Sequence, residues 1–166
     1  GRCDRAAIQT AVKDADVVVA AFGEYYYMNG ENTSKTYLGL TGEQLVAAET
    51  VKAAGKPLVA VLFNGRPMAI PELTGLADAL VEAWNPGSCG GWAVADILTG
   101  AYNPSARLTV DFPRTTGQCP IYYNRTSTGR PHVPGLPWVT RYIDSEWSPL
   151  FPFGFGLSYT TYAYAN

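Results

Sequence analysis

The sequence holds a single histidine, His132, and only three cysteines, Cys3, Cys89 and Cys119. An odd number of thiols argues against a disulfide scaffold. With one imidazole and no C-x-x-C pair, no closed zinc site can be drawn, and no metal is expected. Charge is also scarce. Against 14 Asp and Glu stand 12 Lys and Arg, a net charge of −2, which leaves no basic footprint for nucleic acid. No apolar run approaches the ~20 residues of a membrane span, and no signal-peptide pattern is present. The start at Gly1 rather than Met reads as a piece of a larger protein or a processed product, so the compartment is left open. Gly and Pro are frequent but not periodic, which excludes a collagen-like chain.

Aromatic residues are plentiful, with 11 Tyr and 4 Trp among 166 residues, a length sufficient for one domain with a real core. Rings without basicity suit a neutral ligand such as a sugar, whose C–H faces pack on them. Equally, such rings fill a core and its edges.

Hydrophobic patterning predicts alternating helices and strands. Residues 5–15 place Ile8, Ala11, Val12 and Ala15 on one helical face. Residues 17–22 are a continuous apolar run, as in a parallel strand buried on both faces. Thr41-Gly42-Glu43-Gln44 has the form of a capping box, opening a helix that ends near Ala54 and Gly55. A second buried strand is expected over 58–63, a turn at 64–67, a helical turn within 70–76 and a weaker strand over 79–83. A helix over 91–99 closes at Gly100, and a fourth strand is expected over 107–112. This order predicts an α/β domain with a mostly parallel sheet. From Pro113 to Pro152 the periodicity dissolves into a long irregular segment, and loops of that length usually carry function or pack on something else.

In open α/β sheets ligands sit beyond the carboxyl ends of the strands. The segment "FGEYYYMNGENTSKTYLGL" (22–40), the 64–67 turn and the 84–91 loop all follow strands and belong on that edge. A dinucleotide site is excluded because Gly23-Glu24-Tyr25-Tyr26 stands where G-x-G-x-x-G should begin. Gly87-Ser88-Cys89-Gly90-Gly91 has the spacing of a nucleophile elbow, with Asp111 and His132 following in hydrolase order. Asn85-Pro86 interrupts the tight strand-to-helix bend that an elbow requires, and a Gly-rich turn with a small packed Cys explains the segment equally well. The carboxylates of Glu24 and Glu31 are either solvated loop charges or a general acid/base. The neighbouring tyrosines could supply the apolar surface that a proton donor at neutral pH needs.

Several segments taken together resemble one family. "GKPLVAVLFNGRPMAI" (55–70), "EAWNPGSCGGWAVADILTGAYNPSARLTVDFPRTTGQCPIYYN" (82–124), "TGRP" (128–131), "TRYID" (140–144) and "LFPFGFGLSYTTY" (150–162) are similar to the second domain of glycoside hydrolase family 3. The resemblance implies a three-layer α/β sandwich with helices on both faces of the sheet, residues 1–166 forming one such domain of a larger enzyme. It further implies a (β/α)8-type barrel outside this chain, carrying an aspartate nucleophile, with the active site between the two domains.

By the same resemblance Glu31 takes the acid/base position, within Glu31-Asn32-Thr33-Ser34-Lys35, and Glu24 is the second choice. Tyr25, Tyr26, Tyr27 and Lys35 are the expected substrate-binding residues. Lys35 stands where the family usually has Arg, which gives up a planar, bidentate contact for a point charge. Arg66, Arg130 and Arg141 are expected to brace loops or the domain interface. Phe153, Phe155 and Tyr159 are expected to pack the closing segment on the sheet. The implied reaction is retaining hydrolysis of terminal β-glucosides, with β-xylosides second, and it needs no cofactor. The implied partners are the substrate and the barrel, and there is room for a homodimer. A periplasmic or secreted location is favoured over a cytoplasmic one. The alternatives are a sugar-binding module without catalysis and the Cys89-dependent hydrolase.

Overall fold

A computed structural model describes residues 2–163 and 165. Strands β1 (Val18–Gly23), β2 (Leu58–Phe63) and β3 (Ala79–Glu82) form a parallel sheet in the order β1-β2-β3. Gly23 pairs with Phe63 and Leu62 with Glu82, so the three carboxyl ends lie side by side. Helices α1 (Arg5–Val12), α2 (Gln44–Ala53), α3 (Pro71–Leu76) and α4 (Gly90–Thr99) complete the α/β sandwich. None of these helices is long and apolar enough to cross a membrane.

Local chemistry sets the boundaries. α1 starts where the Asp4 side chain accepts the Ala7 N–H at 3.0 Å. Pro71 opens α3, where its missing N–H is not needed. α4 stops at Gly100, whose φ of +77° is the left-handed conformation of a helix end. Asp78, at the entrance of β3, accepts Lys52 Nζ and Leu58 N–H, each at 2.8 Å, and so ties α2 to two strands. The Lys52 hydrogen bond, then the Leu58 amide, hold its carboxyl below the ordinary value.

The core lies between the helical layer and the sheet. Val12, Ala48, Val51 and Leu73 from α1, α2 and α3 meet Phe22, Leu58, Ala60 and Leu62 from the strands, with Met68 and Ile70 filling in. Burying each large side chain of this set is worth roughly 1.5–3 kcal/mol. The central strand is covered on its second face as well, since Val61 is also buried. β1 departs from the expected doubly buried strand. Phe22 is buried but Val19 is 52% exposed, as β1 lies at the sheet's edge.

The expected fourth strand over 107–112 is a second departure. Phe112 makes only an isolated antiparallel bridge with Phe151. Leu108 N–H donates to Phe155 O and Phe112 N–H to Phe151 O, each at 2.8 Å, so the segment pairs with the chain's closing stretch instead of joining the sheet. Asp111 turns its side chain to accept the Phe153 N–H, and Pro113 lacks the N–H to extend a ladder. The closing aromatics therefore pack on one another: Phe151 on Phe112 and Phe155, and Phe153 on Tyr123. Tyr159 donates its hydroxyl to Ile97 O on α4.

Candidate active site

The site begins at the end of β1, where Gly23 has a φ of +131° and no space for a side chain. A Cβ there would fall 2.0 Å from Phe63 O. Gln44 grips the backbone of the same residue from the other side. Gly23 N–H donates to Gln44 Oε1 at 2.7 Å, and Gln44 Nε2 donates to Gly23 O and to Thr41 Oγ1, both at 2.8 Å. This corrects the capping-box expectation. The residue before α2 is Glu43, which makes no side-chain cap, while Thr41 and Gln44 secure the strand end. A side-chain amide matched to both the N–H and the C=O of one residue is the stronger claim on Gln44.

One residue on, the Glu24 side chain is fully buried between two cations. Lys35 Nζ donates to Oε1 at 2.9 Å and Arg66 Nε to Oε2 at 3.2 Å. Burying a carboxylate is costly unless it is paired, and both oxygens here are. Lys35 thus makes with a point charge the contact this position requires.

Arg66 does more than balance charge. Its Nη2 donates to Met28 O and, at 2.9 Å, to Thr33 O. A single guanidinium therefore holds both feet of the segment 28–33. Gly65 N–H adds a bond to Asn29 Oδ1 at 3.1 Å. Glu31 lies at the tip of this segment, between Gly30 at φ +114° and Asn32 at φ +63°. Glu31 is exposed, and among the described residues no cation pairs with it. The two glutamates are thus placed differently: Glu24 is a buried anchor, and Glu31 a free carboxyl on an anchored loop at the sheet's carboxyl edge.

The tyrosines stand beside this loop. Tyr25 stacks on Tyr27 with ring centroids 5.6 Å apart, and Tyr26 meets Tyr27 edge-on at the same separation. All three are exposed, Tyr26 by 90%, so they present a ring surface outward rather than filling the core.

A further carboxyl at the strand edge escaped sequence reasoning. Glu82, the last residue of β3, accepts Trp84 N–H at 2.9 Å and lies 3.5 Å from Asn64 Nδ2. Burial pushes its pKa from 4.5 up to about 7, against the opposing pull of the Trp84 amide and the Asn64 side chain. Its position as the only acid in a short apolar strand, at the ligand-facing end, was the signal available.

The thiol alternative is not assembled. Cys89 is exposed ahead of α4, His132 hydrogen-bonds through Nδ1 to Thr140 O and stacks on Trp147, and Asp111 is engaged with Phe153. Asp111 and His132 line an open cleft of about 460 Å³ with Tyr123, Arg125 and Trp147, and Cys89 is not part of its wall.

Residues 3–159 match the glycosyl hydrolase family 3 C-terminal domain. The chain is 48% identical to a periplasmic β-glucosidase of Salmonella typhimurium over 94% of its own length, and 39% identical to a β-xylosidase of Formosa agariphila over 95%. It spans 21% of the length of each of these relatives. Among solved structures, a β-glucosidase from Listeria innocua superposes with a TM-score of 0.90 at 46% identity, covering 93% of this chain and 22% of that one. A strand edge with this loop, a sandwich with this topology and a match over nearly the whole length agree, and the chain belongs to glycosyl hydrolase family 3 as its C-terminal domain.

Proposed function

We propose that this domain supplies the general acid/base of a retaining β-glycosidase, with Glu31 as the proton donor and the attacking aspartate on a barrel domain outside residues 1–166. The observation that carries the reading is the placement of Glu31. It stands free at the tip of a loop whose feet Arg66 fixes, at the sheet edge where α/β folds bind ligands. In the reaction, the barrel's aspartate attacks the anomeric carbon while Glu31 protonates the leaving oxygen. The ionised Glu31 then takes a proton from the water that releases the sugar, the two carboxyls working ~5–5.5 Å apart. Glu24 stays in its ion pairs and holds the loop's origin. Tyr25, Tyr26 and Tyr27 offer ring surface to a sugar beyond the cleaved bond.

Relatives named as β-glucosidase and β-xylosidase support a β-linked terminal glucosyl unit as first substrate and a xylosyl unit as second. The Salmonella relative's periplasmic location supports a periplasmic or secreted setting. The test is Glu31→Gln in the protein carrying both halves of the site. Hydrolysis of alkyl glucosides should fall by roughly 10²–10⁴-fold, and that of nitrophenyl glucosides far less, because a good leaving group needs no proton. Azide should rescue the variant by giving a glycosyl azide. A greater loss and azide rescue in Glu24→Gln, with Glu31→Gln active, would transfer the role to Glu24.

A further inference from the structure

The cleft bordered by Asp111 and Arg125 holds two opposite charges that do not meet. Both residues line it, yet among the described residues neither belongs to an ion pair. Asp111 is 4% exposed, and only its Oδ1 is engaged, by the Phe153 N–H. Among the described residues, Asn64 Oδ1 is the one sealed side-chain atom without a partner, so Asp111 Oδ2 is within reach of water. On a buried residue of the cleft's wall, an oxygen that water reaches opens into the cleft. Buried polar groups are normally paired, and this half-paired carboxylate has an acceptor left for a ligand.

The side chains around it are aimed by contacts of their own. Arg125 lies over the Trp147 ring, its guanidinium carbon 4.0 Å from the centroid, and His132 stacks on the same ring at 5.1 Å. Trp147 thus serves as a support for both. Tyr123 is the open ring: Phe153 stacks on it with centroids 4.4 Å apart, and the residue is still 68% exposed. The hydroxyls of Thr128 and Thr140 meet at 2.7 Å, and Thr140 N–H donates to Arg130 O at 2.9 Å, which ties two stretches of the wall together. The volume of about 460 Å³ lies within the ~300–1,000 Å³ of small-molecule sites.

The lining selects a class of ligand. A metal ion needs several oxygen ligands, and Asp111 is the only carboxylate in the wall. An anion would set its acceptors against that of Asp111. An apolar molecule would strip water from Asp111 and Arg125 and return no hydrogen bond. A neutral polyol meets each demand, since its hydroxyls donate to Asp111 Oδ2 and accept from Arg125 while a C–H face lies on a ring. We propose that this cleft binds a pyranose unit of a saccharide, with Asp111 and Arg125 gripping its hydroxyls and Tyr123 packed against its ring. None of these residues belongs to the 24–37 stretch, and binding here does not depend on which glutamate donates the proton.

The test is calorimetric titration of the intact protein, barrel included, with thiocellobiose, whose sulfur linkage resists hydrolysis. Asp111→Asn keeps the Oδ1 acceptor for the Phe153 N–H but replaces Oδ2 by an NH2 that cannot accept. One binding event should weaken by about tenfold or more in this variant, the loss of a hydrogen bond to a charged group, and by a similar factor in Tyr123→Ser. The same event should persist in Glu31→Gln. The proposal is overturned if thiocellobiose does not bind, if it binds Asp111→Asn as it binds wild type, or if the event weakened by Asp111→Asn is also lost in Glu31→Gln. Should Asp111→Asn fail to fold, Tyr123→Ser, a change at an exposed residue, decides in its place. Loss of turnover in Glu31→Gln is measured separately, so the cleft and the assignment of Glu31 stand or fall apart.

Discussion

Removing the Arg66 guanidinium should release the loop and strand a buried charge together. In Arg66→Ala, Glu24 keeps Lys35 on one oxygen and loses its other cation, while Met28 O and Thr33 O lose their shared donor. Breaking a buried pair from one side costs roughly 3–5 kcal/mol. Lys35 remains, and water can reach the partly exposed loop feet, so the low end applies, about 3 kcal/mol. For a domain of this size that lowers Tm by roughly 6–12 °C, a large share of a usual stability of about 5–15 kcal/mol. Arg66→Lys keeps the charge but cannot span three acceptors, and should cost about 1–2 kcal/mol. Chemical denaturation of both variants, with Glu24→Gln and the Glu24→Gln/Arg66→Ala pair, completes a cycle whose coupling should exceed about 1.5 kcal/mol. A loss below about 0.5 kcal/mol in Arg66→Ala, or strictly additive effects, would refute the picture of one guanidinium serving an ion pair and a loop at once.

Other perturbations read other parts of the edge. Gly23→Ala forces a Cβ into Phe63 O at a backbone angle that L-residues avoid, and should cost more than about 3 kcal/mol or abolish folding, as thermal unfolding will show. Glu82 links stability to pH. Its neutral form is favoured in the fold, so the unfolded chain ionises above 4.5 while the folded chain holds the proton up to about 7. Stability is therefore lost as pH rises through that window, by about 3 kcal/mol at about 1.4 kcal/mol per pH unit. Glu82→Gln should remove this slope and surpass wild type at about pH 8 in urea titrations, and a variant that retains the slope would contradict the assignment. Separately, residues 1–166 without a barrel should show no aryl-glucosidase activity near enzyme rates, and full turnover by them alone would end the divided-site proposal.

The fold was legible wherever one local signal decided the outcome. The strands expected over 58–63 and 79–83, the second of which ends one residue sooner at Glu82, and the Gly100 stop needed no distant partner to be read. The misreadings share a cause: each residue had a partner far along the chain. Residues 107–112 look like a strand by composition, yet their pairing is fixed by Asp111 reaching Phe153 and Phe112 bridging Phe151. Gln44 matches a capping motif three residues from Thr41, but the backbone it satisfies is that of Gly23, 21 residues earlier. Of the site, the loop and its two glutamates were visible as an irregular stretch after a strand. Arg66 was recognisable as a brace without its targets, which lie 33 to 42 residues away. Glu82 was marked only as the lone acid of a short apolar strand, and its contact with Asn64 could not be read locally, because parallel pairing is what sets the two strand ends side by side.

Three carboxyls at one sheet edge have been given three environments, and environment decides what a carboxyl can do. Glu24 has two cations and a side chain buried from solvent, so it holds the loop's origin in place. Glu82 has burial without a cation, which favours the neutral acid. Glu31 is exposed and has no cation paired with it among the described residues, so what surrounds it must come from whatever closes over the loop. Under the proposed assignment, Glu31 is switched on by assembly: its loop is aligned beforehand by Arg66, and its surroundings are completed only when the second domain and a substrate arrive. The same feature explains why a domain so well matched to β-glycosidases should be silent alone. On the divided-site proposal the missing element is a wall opposite Glu31, so joining a barrel to this domain should slow hydrogen exchange over residues 28–33, and exchange unchanged by the barrel would count against it.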